Sequence, residues 1–267
     1  MYKGKILFLH GFTQSSSIFY AKTSGLRKRL AKLGYKSIYL NGPIKISPAA
    51  IPSNDSLEKF ESNIGPEESD TDHRAWWLRS NFVKDPLDLS LAIDTIKEYI
   101  LNNTIISDPD LAQEESEEEK NLPIVGIVGF SQGAALGGII CLKFDKIFDT
   151  NPLQFAILYS GFKIDSYEAL GNLKFYPTES ESAPHVLHVY GELDTVVDEN
   201  RVLPLYNAMK STSDLLKHPG GHFVPNSKIY VENVSNWIQN MTKESKENKS
   251  DDDLDKLGDI IDSIGKA

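Results

Sequence analysis

The sequence predicts an α/β fold, a mostly parallel central sheet with helices on both faces. Three observations predict it: short apolar runs of strand length, helical periodicities between them, and turns rich in glycine, asparagine or proline where one pattern gives way to the other. With 267 residues, 40% of them hydrophobic, the chain can bury one substantial core, so a single domain with tails is expected.

Residues 5–9, KILFL, read as a fully buried strand that stops at His10-Gly11. A helical pattern follows through Phe19, Leu26, Leu30 and Leu33, and Gly34 closes it. A second strand over 36–40 ends in the turn formers Asn41-Gly42-Pro43. The next stretch, up to about Asp72, shows little periodicity and is too long for a simple connection, which suggests a functional lid or a disordered insertion. From Pro86, the apolar positions Leu87, Leu91, Ile93, Ile96, Tyr99 and Ile100 predict a helix with proline near its first turn, ending near Asn102-Asn103. Residues 107–121 include the run 114–120, nearly all charged, and read as a solvated, flexible acidic insertion.

Residues 123–129 form another buried strand, and the segment after Ser131 is helix-like, with small residues that allow close packing on a sheet. Two further apolar strands lie at 155–159 and 186–190, with helices around 199–209 and 226–241. Residues 1–241 are thus expected to form the catalytic domain and 242–267 a charged tail, in which Leu254, Leu257, Ile260, Ile261 and Ile264 are spaced as in a short amphipathic helix.

Composition excludes several classes. A net charge of −10 with scattered basic residues argues against nucleic acid as a partner, because duplex binding draws on Lys/Arg clusters. No apolar run approaches the length of about 18 residues that spans a bilayer, and the N-terminus runs straight into a strand. The lone Cys141 can form neither an intramolecular disulfide nor a cysteine zinc cluster, which fits a reducing compartment. A soluble protein of the cytoplasm, and also of the nucleus, is expected.

Gly129-Phe130-Ser131-Gln132-Gly133 matches Gly-x-Ser-x-Gly, and its context carries more weight than the match: a buried strand enters it and a small-residue helix leaves. Such a turn projects the Ser131 hydroxyl above the sheet edge, near the positive end of the following helix. A helix N-cap serine in a Gly-rich turn is the structural alternative.

A serine nucleophile needs a base, and histidine suits that task at neutral pH. Of six histidines, His222 sits in a flexible turn ahead of the last helix, where it can reach over the sheet edge. His10 fits a loop shaping the oxyanion site, His188 a strand or core position and His218 a strand end, while His73 and His185 have no comparable feature nearby. The third member must be a carboxylate that orients the imidazole. Asp194 follows the strand 186–190 directly, whereas its rival Asp198 reads as the N-cap of the helix beginning near Glu199. The order Ser131, Asp194, His222 is that of the α/β-hydrolase fold. A tetrahedral intermediate would find its two N–H donors in the amides of Gln132 and of Phe12, the latter in the loop after the first strand.

The segments LFLHGF at 7–12, HRAWW at 73–77, GFSQG at 129–133, GELD at 191–194 and HPGGHFVPNSK at 218–228 together resemble the FSH-type serine hydrolases of fungi and animals. The resemblance runs from Lys5 to about Trp237, with the motifs in the family's order, and implies a compact α/β-hydrolase related to carboxylesterases and acyl thioesterases, with Ser131, Asp194 and His222 at the triad positions. The acidic insertion and the charged tail look like additions to the family pattern.

Trp76 and Trp77 either line an acyl or aromatic pocket or belong to the core. The expected reaction is cleavage of carboxylic esters of small to medium acyl chains through an acyl-Ser131 intermediate, with no cofactor or metal. Release of an acyl chain from a thioester carrier is the alternative within the same chemistry. A non-catalytic small-molecule binding protein that keeps the pocket is an alternative of another class.

Overall fold

The computed structural model describes residues 1–46, 72–78, 87–164, 176 and 184–242. The chain divides into two compact units, Met1–Asn226 and Ser227–Ala267.

The first unit begins with β1 (Gly4–Leu9), buried at every position. The single helix expected next is two, α1 (Ser16–Lys22) and α2 (Ser24–Lys32), because Thr23 leaves the helical conformation and its hydroxyl donates back to the Phe19 carbonyl at 2.7 Å. Gly34, at φ 85°, turns the chain into β2 (Tyr35–Leu40). The short strands β3 (Ile44–Lys45) and β4 (Arg74–Ala75) pair antiparallel at the two ends of the long stretch read as a lid or insertion, most of which lies outside the described residues.

Helix α3 (Ser90–Asn102) starts a turn later than the proline suggested, because Asp88 accepts from both the backbone and the hydroxyl of Ser90 and holds the chain out of the helix until there. It ends on Asn103 in the left-handed conformation. Leu91, counted on its apolar face, is exposed. After α4 (Glu117–Lys120), which carries a capping box, β5 (Ile124–Phe130) leads into α5 (Gln132–Ile140) and α6 (Phe144–Phe148). The unit continues with β6 (Phe155–Tyr159), β7 (His185–Gly191), α7 (Glu199–Ala208) and β8 (Ser213–His218). Asp198 caps α7 as expected, accepting from the Arg201 amide at 3.1 Å.

Six strands form one sheet in the order β2-β1-β5-β6-β7-β8, with every neighbouring pair parallel. The central strands β1 and β6 are buried along their whole length, which requires cover on both faces. The chain winds outward from β1 in both directions, so β1 and β5 flank the topological switch point where open α/β sheets bind ligands.

Nine of the fifteen residues 107–121 are exposed, as the charges suggest, but others anchor the stretch to the sheet. Gln113 brackets Tyr39, accepting from its amide at 2.8 Å and donating to its carbonyl at 2.7 Å, so a side chain substitutes for a neighbouring strand on the open edge of β2. Asp108 accepts from the Ser16 hydroxyl and the Ser17 amide, and Glu115 forms a buried ion pair with Lys5 at 3.3 Å. A charge run reads as solvated only while its partners are unknown, and here they come from β1, β2 and α1.

The second unit holds a helix, α8, over 228–242, with Val231, Val234 and Ile238 recurring along one face. The remainder of the tail, including its apolar repeat from Leu254 to Ile264, lies outside the described residues.

Candidate active site

Strand β5 passes into α5 through Ser131, whose backbone is forced to φ 50° and ψ −111°. A non-glycine residue there carries strain of about 1–3 kcal/mol, sustained by the packing around it. Both flanking glycines are required by close approach: a Cβ on Gly129 would run into the Gly133 carbonyl and Ala134, and one on Gly133 into the Leu9 and His10 carbonyls. The Ser131 amide donates to the Tyr159 carbonyl at 2.8 Å, which ties the turn to the end of β6. The Ser131 side chain makes no capping bond to α5, contrary to the N-cap alternative, and its hydroxyl turns instead towards His222.

His222 lies on the loop after β8, with Nε2 3.0 Å from Ser131 Oγ and Nδ1 2.8 Å from Asp194 Oδ2. Asp194 accepts at Oδ2, so Nδ1 carries the proton and Nε2 is left to accept from the serine hydroxyl. All three side chains are nearly inaccessible, at 4% exposure for Ser131, 5% for His222 and 4% for Asp194. The two loops that carry Asp194 and His222 are bonded to each other, Glu192 to the His218 carbonyl at 2.8 Å and Leu193 to the Gly220 carbonyl at 3.0 Å.

Four donors converge on Asp194. Oδ1 accepts from the Val196 and Val197 amides at 2.9 and 2.8 Å, while Oδ2 accepts from the Ser160 hydroxyl at 2.8 Å as well as from His222. Burial pushes this carboxyl up, but the bond and charge of His222, the Val197 amide and the Ser160 hydroxyl outweigh it and hold the group below the usual carboxylate range. Asp194 is therefore an anion with every lone pair engaged, suited to fixing one imidazole tautomer.

Gln132 and Phe12 follow the carboxyl ends of β5 and β1, neighbouring strands of the sheet, so both candidate oxyanion donors stand on the switch-point edge. Gln132 is the first residue of α5, a position whose amide has no acceptor within its own helix. Its side chain does something the sequence did not disclose. Oε1 accepts from the Trp76 amide and Nε2 donates to the Trp77 carbonyl, both at 2.9 Å. The Trp76 indole in turn donates to the His10 carbonyl at 2.9 Å, and the Thr13 and Arg74 amides exchange bonds with the Arg74 and Gln14 carbonyls at 3.0 Å. His73 Nδ1 adds a bond to the Thr13 carbonyl at 2.7 Å. Residues 72–77 thus form a strap that joins the serine turn to the loop after β1.

Trp76 is fully buried and Trp77 is 4% exposed, both within the main apolar core. His10 is fully buried as well, with Nδ1 2.7 Å from the Gly11 carbonyl and Nε2 accepting from the Gly42 amide at 2.9 Å. Burial lowers its pKa to about 4 and keeps it neutral, so it shapes this loop and offers no free nitrogen for base catalysis. His188 Nε2 lies 3.3 Å from the Ser213 hydroxyl, and His218, at the end of β8, accepts at Nδ1 from the Gly220 amide at 3.2 Å. Burial pushes the Cys141 thiol up to about 12, which removes it as a competing nucleophile.

Ser131, Asp194 and His222 were each identifiable by sequence, and the fold brings them into one hydrogen-bonded line. Ser160 was not, although a small polar residue directly after β6 was a position worth weighing.

A serine hydrogen-bonded to a buried histidine, on the switch-point turn of a parallel sheet, places the molecule among hydrolases of the α/β-hydrolase fold. The crystal structure of esterase PE8 shares that fold, with a TM-score of 0.56 at 16% identity, covering 90% of this chain and 93% of that one. The family described as Serine hydrolase (FSH1) matches residues 1–234, and this chain belongs to it. Among its relatives, Family of serine hydrolases 3 of Saccharomyces cerevisiae is 35% identical, covering 99% of this chain and 98% of that protein. Esterase OVCA2 of Danio rerio is 30% identical, covering 88% of this chain and 96% of that protein.

Proposed function

We propose that this serine hydrolase cleaves carboxylic esters of small to medium acyl chains through an acyl-Ser131 intermediate. The observation that carries the reading is the line from Ser131 Oγ to His222 Nε2 at 3.0 Å and from His222 Nδ1 to Asp194 Oδ2 at 2.8 Å.

Ser131 attacks the acyl carbonyl while His222 takes its proton, and the oxyanion that forms is held by the amides of Gln132 and Phe12. The intermediate collapses with cleavage of the carbonyl carbon–leaving-group bond, and His222 returns the proton to the departing oxygen or sulfur. Water then repeats the cycle against the acyl-serine, giving up one proton to His222, which passes it back to Ser131. Asp194 stays ionised throughout and stabilises the imidazolium. These steps call on no metal or organic cofactor.

Oxygen esters and thioesters differ here only in the leaving group, so matched pairs with the same acyl chain decide between them. Preference for oxygen esters of short to medium chains supports the reading, and a large preference for thioesters would replace it with acyl-carrier release. Hydrolysis that survives Ser131→Ala would refute both.

Residues 1–241 are assigned to the catalytic domain and 242–267 to a charged tail, and Trp76 and Trp77 to the wall behind the acyl site. A cytoplasmic and also nuclear location is supported by the lone, buried cysteine. The net charge of −10 weighs against nucleic-acid partners.

A further inference from the structure

We infer that Ser160 is a positioning residue of the active site, holding with its hydroxyl the same Asp194 oxygen that receives the His222 imidazole N–H. The inference rests on the reading of Ser131, His222 and Asp194 above.

Ser160 is 1% exposed and sits directly beyond β6 with φ 48°, a left-handed conformation that a non-glycine residue rarely adopts. Glycine would occupy this backbone without strain, so the fold alone gives no reason for a serine here. What the serine adds is its hydroxyl, which donates to Asp194 Oδ2 at 2.8 Å. His222 Nδ1 meets that oxygen at the same distance. Oδ1 is meanwhile held by the Val196 and Val197 amides, so Ser160 completes the fixing of the carboxylate plane.

The position also links the triad's two ends. Tyr159 O accepts the Ser131 amide at 2.8 Å, and the next residue reaches Asp194 while its own amide donates to the Val189 carbonyl at 2.8 Å. Two adjacent residues at the end of β6 therefore set the spacing between nucleophile and carboxylate, the gap that His222 must bridge.

The hydroxyl also draws charge on Oδ2 away from the imidazole. Without it Asp194 interacts more strongly with the imidazolium, and the acid limb of the rate profile moves to higher pH. Among the described residues, the titratable groups near Asp194 besides His222 include Glu192 on its own loop and His218 at the end of β8. Burial lowers the His218 pKa while Asp194 and Glu192 raise it, so the test is repeated in a His218→Gln background.

Ser160→Gly and Ser160→Ala are compared with wild type for kcat, KM, pH profile and Tm, with kcat normalised to sites titrated by a fluorophosphonate. Both variants are expected to lose about tenfold in kcat, the size of one hydrogen bond to a charged group, with KM changed less than about twofold. The acid limb should move to higher pH in both, while Ser160→Gly keeps or raises Tm because its backbone strain is relieved. Wild-type kcat per titrated site with an unmoved acid limb overturns the inference, as does failure of both variants to fold, which would make Ser160 a residue of the fold. Ser131→Ala runs alongside: if it still hydrolyses, the triad reading fails, whereas an inactive Ser131→Ala beside a wild-type-like Ser160→Gly fails Ser160 alone.

Discussion

At the residue scale, Ser131 combines a strained backbone with a hydroxyl that its own helix leaves uncapped. Gly133 makes that conformation possible by letting α5 approach β1, so Gly133→Ala should displace the turn and abolish turnover with a stability loss of more than about 1 kcal/mol, read by urea titration beside an activity assay. Asp194→Asn keeps the size of the side chain but trades an anionic acceptor for an amide. It should lower kcat by up to about 10⁴-fold with the fold retained by circular dichroism, and a loss smaller than about tenfold would contradict the role given to Asp194. Ser131 and Asp194 were legible as candidates because each follows a readable strand, and His222 because it lies in a glycine-rich turn ahead of the last helix, in an order that narrows the fold. Ser160 was not, because a serine after a strand has many uses and its bond to Asp194 spans 34 positions.

At the scale of elements, the strap 72–77 and the stretch 107–121 each depend on bonds between distant segments. Trp76→Phe removes the indole donor to the His10 carbonyl while keeping a ring in the core. A loss of kcat of about tenfold is expected, with KM nearly unchanged, since the bond steadies the loop that carries the Phe12 amide. A change in KM alone would place Trp76 in substrate binding instead. The Lys5–Glu115 pair is buried on both sides, so Glu115→Gln leaves the ammonium with the Lys120 carbonyl and Asn103 but without its anionic partner, and should cost about 1–3 kcal/mol of unfolding free energy, measured with a denaturant. If that stretch were only solvated, the variant would match wild type. Strand periods and the Gly-x-Ser-x-Gly turn placed the main elements. They could not reveal that Gln113 and Glu115 fasten an acidic run to β2 and β1, because pairing across the chain leaves no local period.

At the scale of the whole molecule, burial holds His10 and His188 neutral, and this shapes the response to acid. Burial lowers the pKa of both His10 and His188 to about 4. The unfolded chain binds those protons near pH 6.5, so between about 6.5 and 4 it takes up more protons than the folded protein and stability falls with pH by about 1.4 kcal/mol per unit for each group. His188→Leu should therefore flatten the fall of the urea midpoint between pH 6.5 and 5, and an unchanged slope would mean that His188 does not stay neutral there. The parallel sheet itself was legible from alternating apolar runs and helical periods. The strand order was not, since it depends on which crossovers the chain takes around β1.

The central claim, that Ser131 is the nucleophile, is tested most directly by labelling the intact protein with a fluorophosphonate and mapping the adduct by peptide mass spectrometry. One adduct per chain is expected, on the peptide carrying Ser131, with labelling lost in Ser131→Ala and slowed in Asp194→Asn. An adduct on any other residue, or undiminished labelling of Ser131→Ala, would contradict the account.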